Sequence, residues 1–200
     1  MDNTKMIVSH YERDLNWLKN INSDIDIVIY NKGKNVNKSY IDLPNIGREP
    51  HTFFQYIVHN YDKLTEWTIL SQDGPHEHVR NWESIINGGL TTWETAAFKN
   101  KNAFFFSDLG ILSCPSTNLP IHWDPLPIQE IWETLFDDEL PDTLYFVPTC
   151  HIITHKDVIL SKPIEFYKKT IEILENSKYS PWTFERLMSY VFNPDVKIKI

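Results

Sequence analysis

The chain has 200 residues, a formal net charge of −8, 42% hydrophobic residues and 14% aromatic residues. That is enough apolar material for the core of one domain spanning residues 1–200. The acidic balance excludes a general nucleic-acid binder, which needs a basic surface to neutralise phosphates. Cys114 and Cys150 are the two cysteines, far apart and without CxxC spacing, a usage that suits a reducing compartment. Ile7-Val8 is too short for a signal-peptide core, and no apolar run approaches the roughly 18 residues of a membrane span. The expectation is a soluble cytoplasmic protein with no membrane span.

In chain order, Lys5–Ser9 is a short apolar run that reads as a buried strand. After it, Leu15, Leu18 and Ile21 recur on one helical face beside Trp17. Ile25–Tyr30 is a β-branched strand, stopped by Asn31-Lys32-Gly33. Leu43–Tyr61 then opens with turn residues, Pro44-Asn45 and Gly47, and continues as a helix in which Phe53, Phe54, Ile57, Val58 and Tyr61 share a face. Pro50 fits just inside that helix, where the first N–H groups have no partner to lose. A glycine followed by Arg48 at a helix start can seat an anion, and equally Arg48 and Glu49 can pair with each other on a surface turn. Trp67–Ser71 is a third strand, ending abruptly in Gln72-Asp73-Gly74-Pro75.

Strand, helix, strand, helix, strand predicts an α/β fold with a mostly parallel central sheet and flanking helices. Ligands of such sheets bind beyond the carboxyl ends of the strands, here after Ser9, Tyr30 and Ser71. Further on, Ala103–Phe106 reads as a short strand, Cys114–Pro127 as proline-rich loop and Ile128–Phe136 as a helix. Leu144–Thr154 reads as one or two strands broken at Pro148, and Ile164–Asn176 and Ser180–Phe192 as amphipathic helices. Trp82, Trp93, Trp123 and Trp132 can stack on sugars, but core packing is the commoner use of tryptophan.

Several stretches resemble, in order, an uncharacterised domain-of-unknown-function family with glycosyltransferase-like features. His10–Leu18 is similar to its RYNEDLxWL stretch, Ile29–Gly33 to IYNKG, and Leu43–Thr52 to LPNxGREAHT with Pro50 in place of alanine. Leu70–His78 resembles FLQGDPFDH with Gln-Gly-Asp-Pro permuted to Gln72-Asp73-Gly74-Pro75. Thr149–Ile159 matches a GAQFAVSRERI-like stretch loosely, with Cys150 and His151 in place of its glycine and aromatic, and Pro181–Met188 matches PWxFERLW. That pattern in turn looks like a GT-A glycosyltransferase, although no DxD follows the Trp67–Ser71 strand.

The resemblance implies inverting transfer of a sugar from a nucleotide-sugar donor to a carbohydrate or protein acceptor. It implies Glu185 as the base and Asp73 beside the donor, with a divalent metal (manganese or magnesium) in play. Tyr11, Asp14, Tyr30, Asn31, Asn45, Gly47 and Gln72 would surround the nucleotide, with Lys32, Arg48 and Arg186 supplying positive charge. Each has an ordinary reading too. Glu185 can be a helix-surface carboxylate, Asp14 a helix cap, and Asp73 a turn residue before glycine. The histidines suggest a rival: His76 and His78, and His151 and His155, together with Asp73, Asp124 or His122, are residue types that bind zinc for hydrolysis. A non-catalytic nucleotide- or sugar-binding module is the third expectation.

Overall fold

The computed structural model describes residues 3–34, 37–116, 120–121, 124–148 and 150–199. Its first half is laid down by β1 (Thr4–His10), β2 (Asp26–Asn31), β3 (Ile41–Asp42), α1 (Arg48–Asn60) and β4 (Trp67–Gln72). Two short helices follow, α2 (Trp82–Gly88) and α3 (Leu90–Trp93), then β5 (Phe98–Asn100), β6 (Ala103–Phe105) and β7 (Leu112–Pro115). Next come β8 (Pro120–Ile121), β9 (Asp124–Pro125), α4 (Ile128–Leu135), β10 (Thr143–Phe146) and β11 (Ile152–His155). The chain closes with α5 (Lys156–Leu160), α6 (Ile164–Asn176) and α7 (Ser180–Val191).

Seven strands form one sheet in the order β3-β2-β1-β4-β11-β6-β5. The β2–β3, β1–β2 and β1–β4 ladders are parallel. The β4–β11, β11–β6 and β6–β5 ladders are antiparallel. The sheet is therefore mixed, which corrects the expectation of a mostly parallel one. Apolar periodicity identifies a strand but carries no information on its direction, and β11 enters the sheet reversed. The stretch 144–154 is indeed two strands broken near Pro148, but they part company: β10 pairs with β7 in a separate two-stranded sheet. That pairing also puts a strand into the start of the expected proline-rich loop. The helical face expected around Leu15–Ile21 is a 3-10 turn over Asn16–Asn20.

Alternation along the strands splits the core into two layers. Ile7, Leu70, Phe105 and Ile152 face one cluster, packed beneath α1, α4, α6 and α7 through Phe53, Phe54, Trp132, Tyr167 and Phe184. Met6, Val8, Ile69, Phe104 and Ile153 face the other, where Trp17, Trp82 and Trp93 fill the space. The indole N–H of Trp82 donates to Ser71 Oγ at 3.0 Å, and that of Trp93 to the Ile85 carbonyl at 3.1 Å, so neither ring is buried at the cost of a lost hydrogen bond. Trp82, Trp93 and Trp132 are thus core residues, while Trp123 lies outside the described residues. Among the described residues no helix is long and apolar enough to cross a membrane.

The connection order fixes where a ligand can sit. From β1 the chain steps outward to β2 and β3, then returns through α1 to place β4 on the opposite side of β1. The strand order reverses between β1 and β4, and a crevice opens beyond their carboxyl ends at such a point.

Candidate functional site

Beyond the ends of β1, β2 and β4 the surface holds three recesses of about 210, 190 and 320 Å³, and Arg48 and Glu49 line all of them. They form one cleft. Its deep lobe is walled by Gln72, His78, Cys150, Trp182 and Glu185. The middle lobe holds Tyr11, Arg13, Asp73 and Glu77, and the outer lobe Ser9, Lys32 and Asn45. Sequence positions from 9 to 185 meet here because α1 and α7 both start at this end of the sheet.

Arg48 owes its position to an unusual turn. Gly47 has φ +64 and Arg48 φ +48, two successive residues in the left-handed region where only glycine sits without strain. The helix begins there: the His51 N–H donates to the Gly47 carbonyl at 3.2 Å, so Pro50 lies among the first N–H positions, which need no intrahelical acceptor. The Arg48 guanidinium lies over the Trp182 ring at 5.4 Å, and its Nε is 3.5 Å from Glu49 Oε2. Its side chain remains 56% exposed toward the cleft. Arg48 pairs with Glu49, as one of its sequence readings expects, and lines the cleft as well.

Asp73 is a tie between strand ends. Its Oδ2 accepts from the Tyr11 N–H at 2.6 Å and the Arg13 N–H at 3.2 Å, and His10 Nδ1 lies 3.1 Å away. The backbone carbonyl of Asp73 accepts from the Trp17 indole N–H at 2.9 Å. The residue therefore lines the cleft while holding the β1 loop against the end of β4.

Glu185 stands on the first turns of α7, one turn after Trp182, and its Oε2 accepts from Arg186 Nη1 at 3.0 Å. Glu185 and Glu49 approach the same buried thiol. Burial first, then these two carboxylates, push the Cys150 thiol well above its ordinary range, with Arg48 opposing them. Cys150 is a neutral, apolar wall.

Other expected residues are placed elsewhere. Lys32 reaches the outer lobe, and its Nζ donates to the carbonyls of Ile46 at 2.5 Å and Arg48 at 2.6 Å. Tyr30 is buried in the core against α1, with burial pushing its hydroxyl up to about 12. Asn31 organises its own loop, donating to Asp42 Oδ1 at 2.8 Å and accepting from the Gly33 N–H at 3.1 Å. Asp14 lies two residues before the start of the 3-10 turn and accepts from the Asn16 N–H at 2.9 Å, which holds its carboxyl below the usual range. Arg186 turns back, donating to the Trp182 carbonyl at 2.8 Å with its guanidinium 4.9 Å from the Phe146 ring. Gly47 serves by its backbone alone.

The histidines do not gather. His76 bonds Glu83 at 2.7 Å, away from the cleft. His78 lines two lobes, with the His151 ring centred 6.4 Å away. His151 is buried against Trp82, and burial, with His78 and His76 adding to it, lowers its pKa to about 3. His122 and the side chain of Asp124 lie outside the described residues, as does Thr149. Among the described residues no group of three or more His, Cys, Asp or Glu side chains is placed to share a metal ion. Asp73 Oδ2 is meanwhile engaged by the Tyr11 and Arg13 main-chain N–H groups.

Among the cleft residues that escaped the sequence reading are Trp182, Glu49 as a wall of the cleft, Arg13, Glu77 and Ser9. Trp182 had a usable signal, since it precedes Glu185 by three positions on one helix and so shares its face. Arg13 had none, being placed by the loop that Asp73 holds. No curated protein and no solved structure matches the chain. Residues 6–99 match the model of a family described as a protein of unknown function (DUF3431), the segment that runs from β1 into β5 and carries the cleft wall from Ser9 to His78.

Proposed function

We propose that the chain is a glycosyltransferase that moves a sugar from a nucleotide-sugar donor to an acceptor hydroxyl with inversion. The observation that carries this reading is the cleft at the strand reversal, where Arg48, stacked over Trp182, meets the carboxylates Glu49 and Glu185. An aromatic face beside hydrogen-bonding carboxylates suits a sugar ring, which is apolar on its faces and polar at its rim. The guanidinium groups of Arg48 and Arg13 suit the diphosphate.

In the proposed step the acceptor oxygen bonds to the anomeric carbon as the bond from that carbon to the diphosphate oxygen breaks. The acceptor's proton passes to the Glu185 carboxylate. Negative charge developing on the departing diphosphate is met by Arg48 and Arg13, whose preorganised charges act in a partly closed cleft. Glu185→Gln is the direct test, read as nucleoside diphosphate released in the presence of an acceptor mixture. Turnover should fall by roughly 10²–10⁴-fold, with donor binding by calorimetry unchanged. Undiminished turnover would remove Glu185 from the step.

A further inference from the structure

Arg48 occupies a conformation that its own chemistry disfavours. A non-glycine residue in the left-handed region is strained and persists only where the surroundings over-determine it. Here the surroundings converge on one atom. Lys32 is 6% exposed, and its Nζ donates to the carbonyl on each side of Gly47, those of Ile46 and Arg48, at 2.5 and 2.6 Å. The same Nζ lies 3.3 Å from His51 Nδ1. An ammonium group only donates, so His51 Nδ1 accepts and the imidazole proton sits on Nε2. That nitrogen lies 3.2 Å from Glu175 Oε1 on α6 and so donates to it. The ammonium thus uses all three protons, two on the turn and one on a histidine braced from behind.

We propose that Lys32 is a positioning residue: its ammonium clamps the Gly47–Arg48 turn and thereby sets the Arg48 guanidinium over Trp182 in the cleft. The function assigned to that guanidinium rests on the glycosyltransferase reading; the clamp itself does not. Around Lys32, α1 contributes Glu49, Arg48 and the neutral His51, the β1 and β4 ends contribute Tyr11 and Asp73, and α6 contributes Glu175 behind His51. Burial lowers the Lys32 pKa to about 8, with Glu49 opposing. Above that pH the amine keeps two protons for three acceptors and loses its charge, so the clamp loosens.

The test reads Arg48 through the ring it covers. The full chain is labelled with 5-fluorotryptophan, and the Trp182 fluorine resonance is assigned by its loss in Trp182→Phe. In the unmutated chain that resonance is expected to move between pH 7 and 9 with a midpoint near 8. Lys32→Met is expected to hold it at its high-pH position already at pH 7, with the other tryptophan resonances in place. Lys162, whose pKa is also lowered to about 8, donates to the Asn193 carbonyl at the far end of α7 from Trp182, so the Lys32 variant separates the two. A Trp182 resonance flat across pH 7–9, or unmoved in a folded Lys32→Met chain, overturns the proposal. Calorimetry with inorganic pyrophosphate distinguishes the two claims: affinity should weaken about tenfold in Lys32→Met. If Trp182 follows Lys32 while pyrophosphate fails to bind the unmutated chain, the clamp stands and the anion seat falls.

Discussion

At the scale of residues, the cleft depends on groups whose conformation or protonation is held away from the ordinary. A Cβ added at Gly47 would lie 2.6 Å from His51 Cβ, and the φ of +64 is strained for any other residue. Gly47→Ala should therefore lower unfolding free energy by about 1–3 kcal/mol, read as a shifted urea midpoint with unchanged slope. His151 gives a pH signature. Its folded pKa is near 3, well below the ordinary 6.5, and His51 is lowered as well, chiefly by burial. A group with a depressed folded pKa contributes stability that is complete above its unfolded pKa and drains away as pH falls toward the folded one. Stability should accordingly begin to fall below pH 6.5, ahead of the carboxylates. His151→Leu should flatten that fall between pH 6 and 4 in denaturant titrations at successive pH values. An unchanged slope would mean that His151 is not the source.

At the scale of elements, the parallel half of the sheet was legible because its strands are short β-branched runs that stop at polar residues, as in Ile25–Tyr30 before Asn31-Lys32-Gly33. The helices α1, α6 and α7 were legible by their 3.6-residue periodicity. The hidden elements have identifiable reasons. Gly88 ends α2 and Gly89 joins it to α3, and the two helices are too short to show a period in the sequence. β11 looks like any strand, and its direction is set by its partner β4 rather than by its own residues. Lys32 reads in sequence as part of the turn that stops a strand, and only the closing of α1 over it turns it into a clamp. The loop after β1 depends on one side chain from another strand, and this gives a local prediction. Asp73→Ala should release the Tyr11 and Arg13 amides, raising their hydrogen-exchange rates by at least about tenfold and costing about 1–3 kcal/mol of stability. Unchanged protection at both amides would contradict the tie.

At the scale of the whole molecule, two core layers on a mixed sheet leave one end open, and the chain directs charged and polar residues from distant segments to it. The segment that matches the uncharacterised family supplies the strand ends, Arg48, Glu49 and Asp73, while α7 adds Trp182 and Glu185 from outside that segment. On the glycosyltransferase reading proposed above, this cleft binds a nucleotide sugar through Arg48. The most direct measurement is thermal unfolding of the full chain against a panel of nucleoside diphosphates and nucleotide sugars, with and without manganese, for the unmutated protein and Arg48→Ala. Ligand at one hundred times its Kd adds about 2.7 kcal/mol, which at this chain size is a rise of roughly 5–10 °C. The account predicts such a rise for one nucleoside diphosphate and its sugar conjugate, and its loss in Arg48→Ala. A flat panel at millimolar ligand would contradict it.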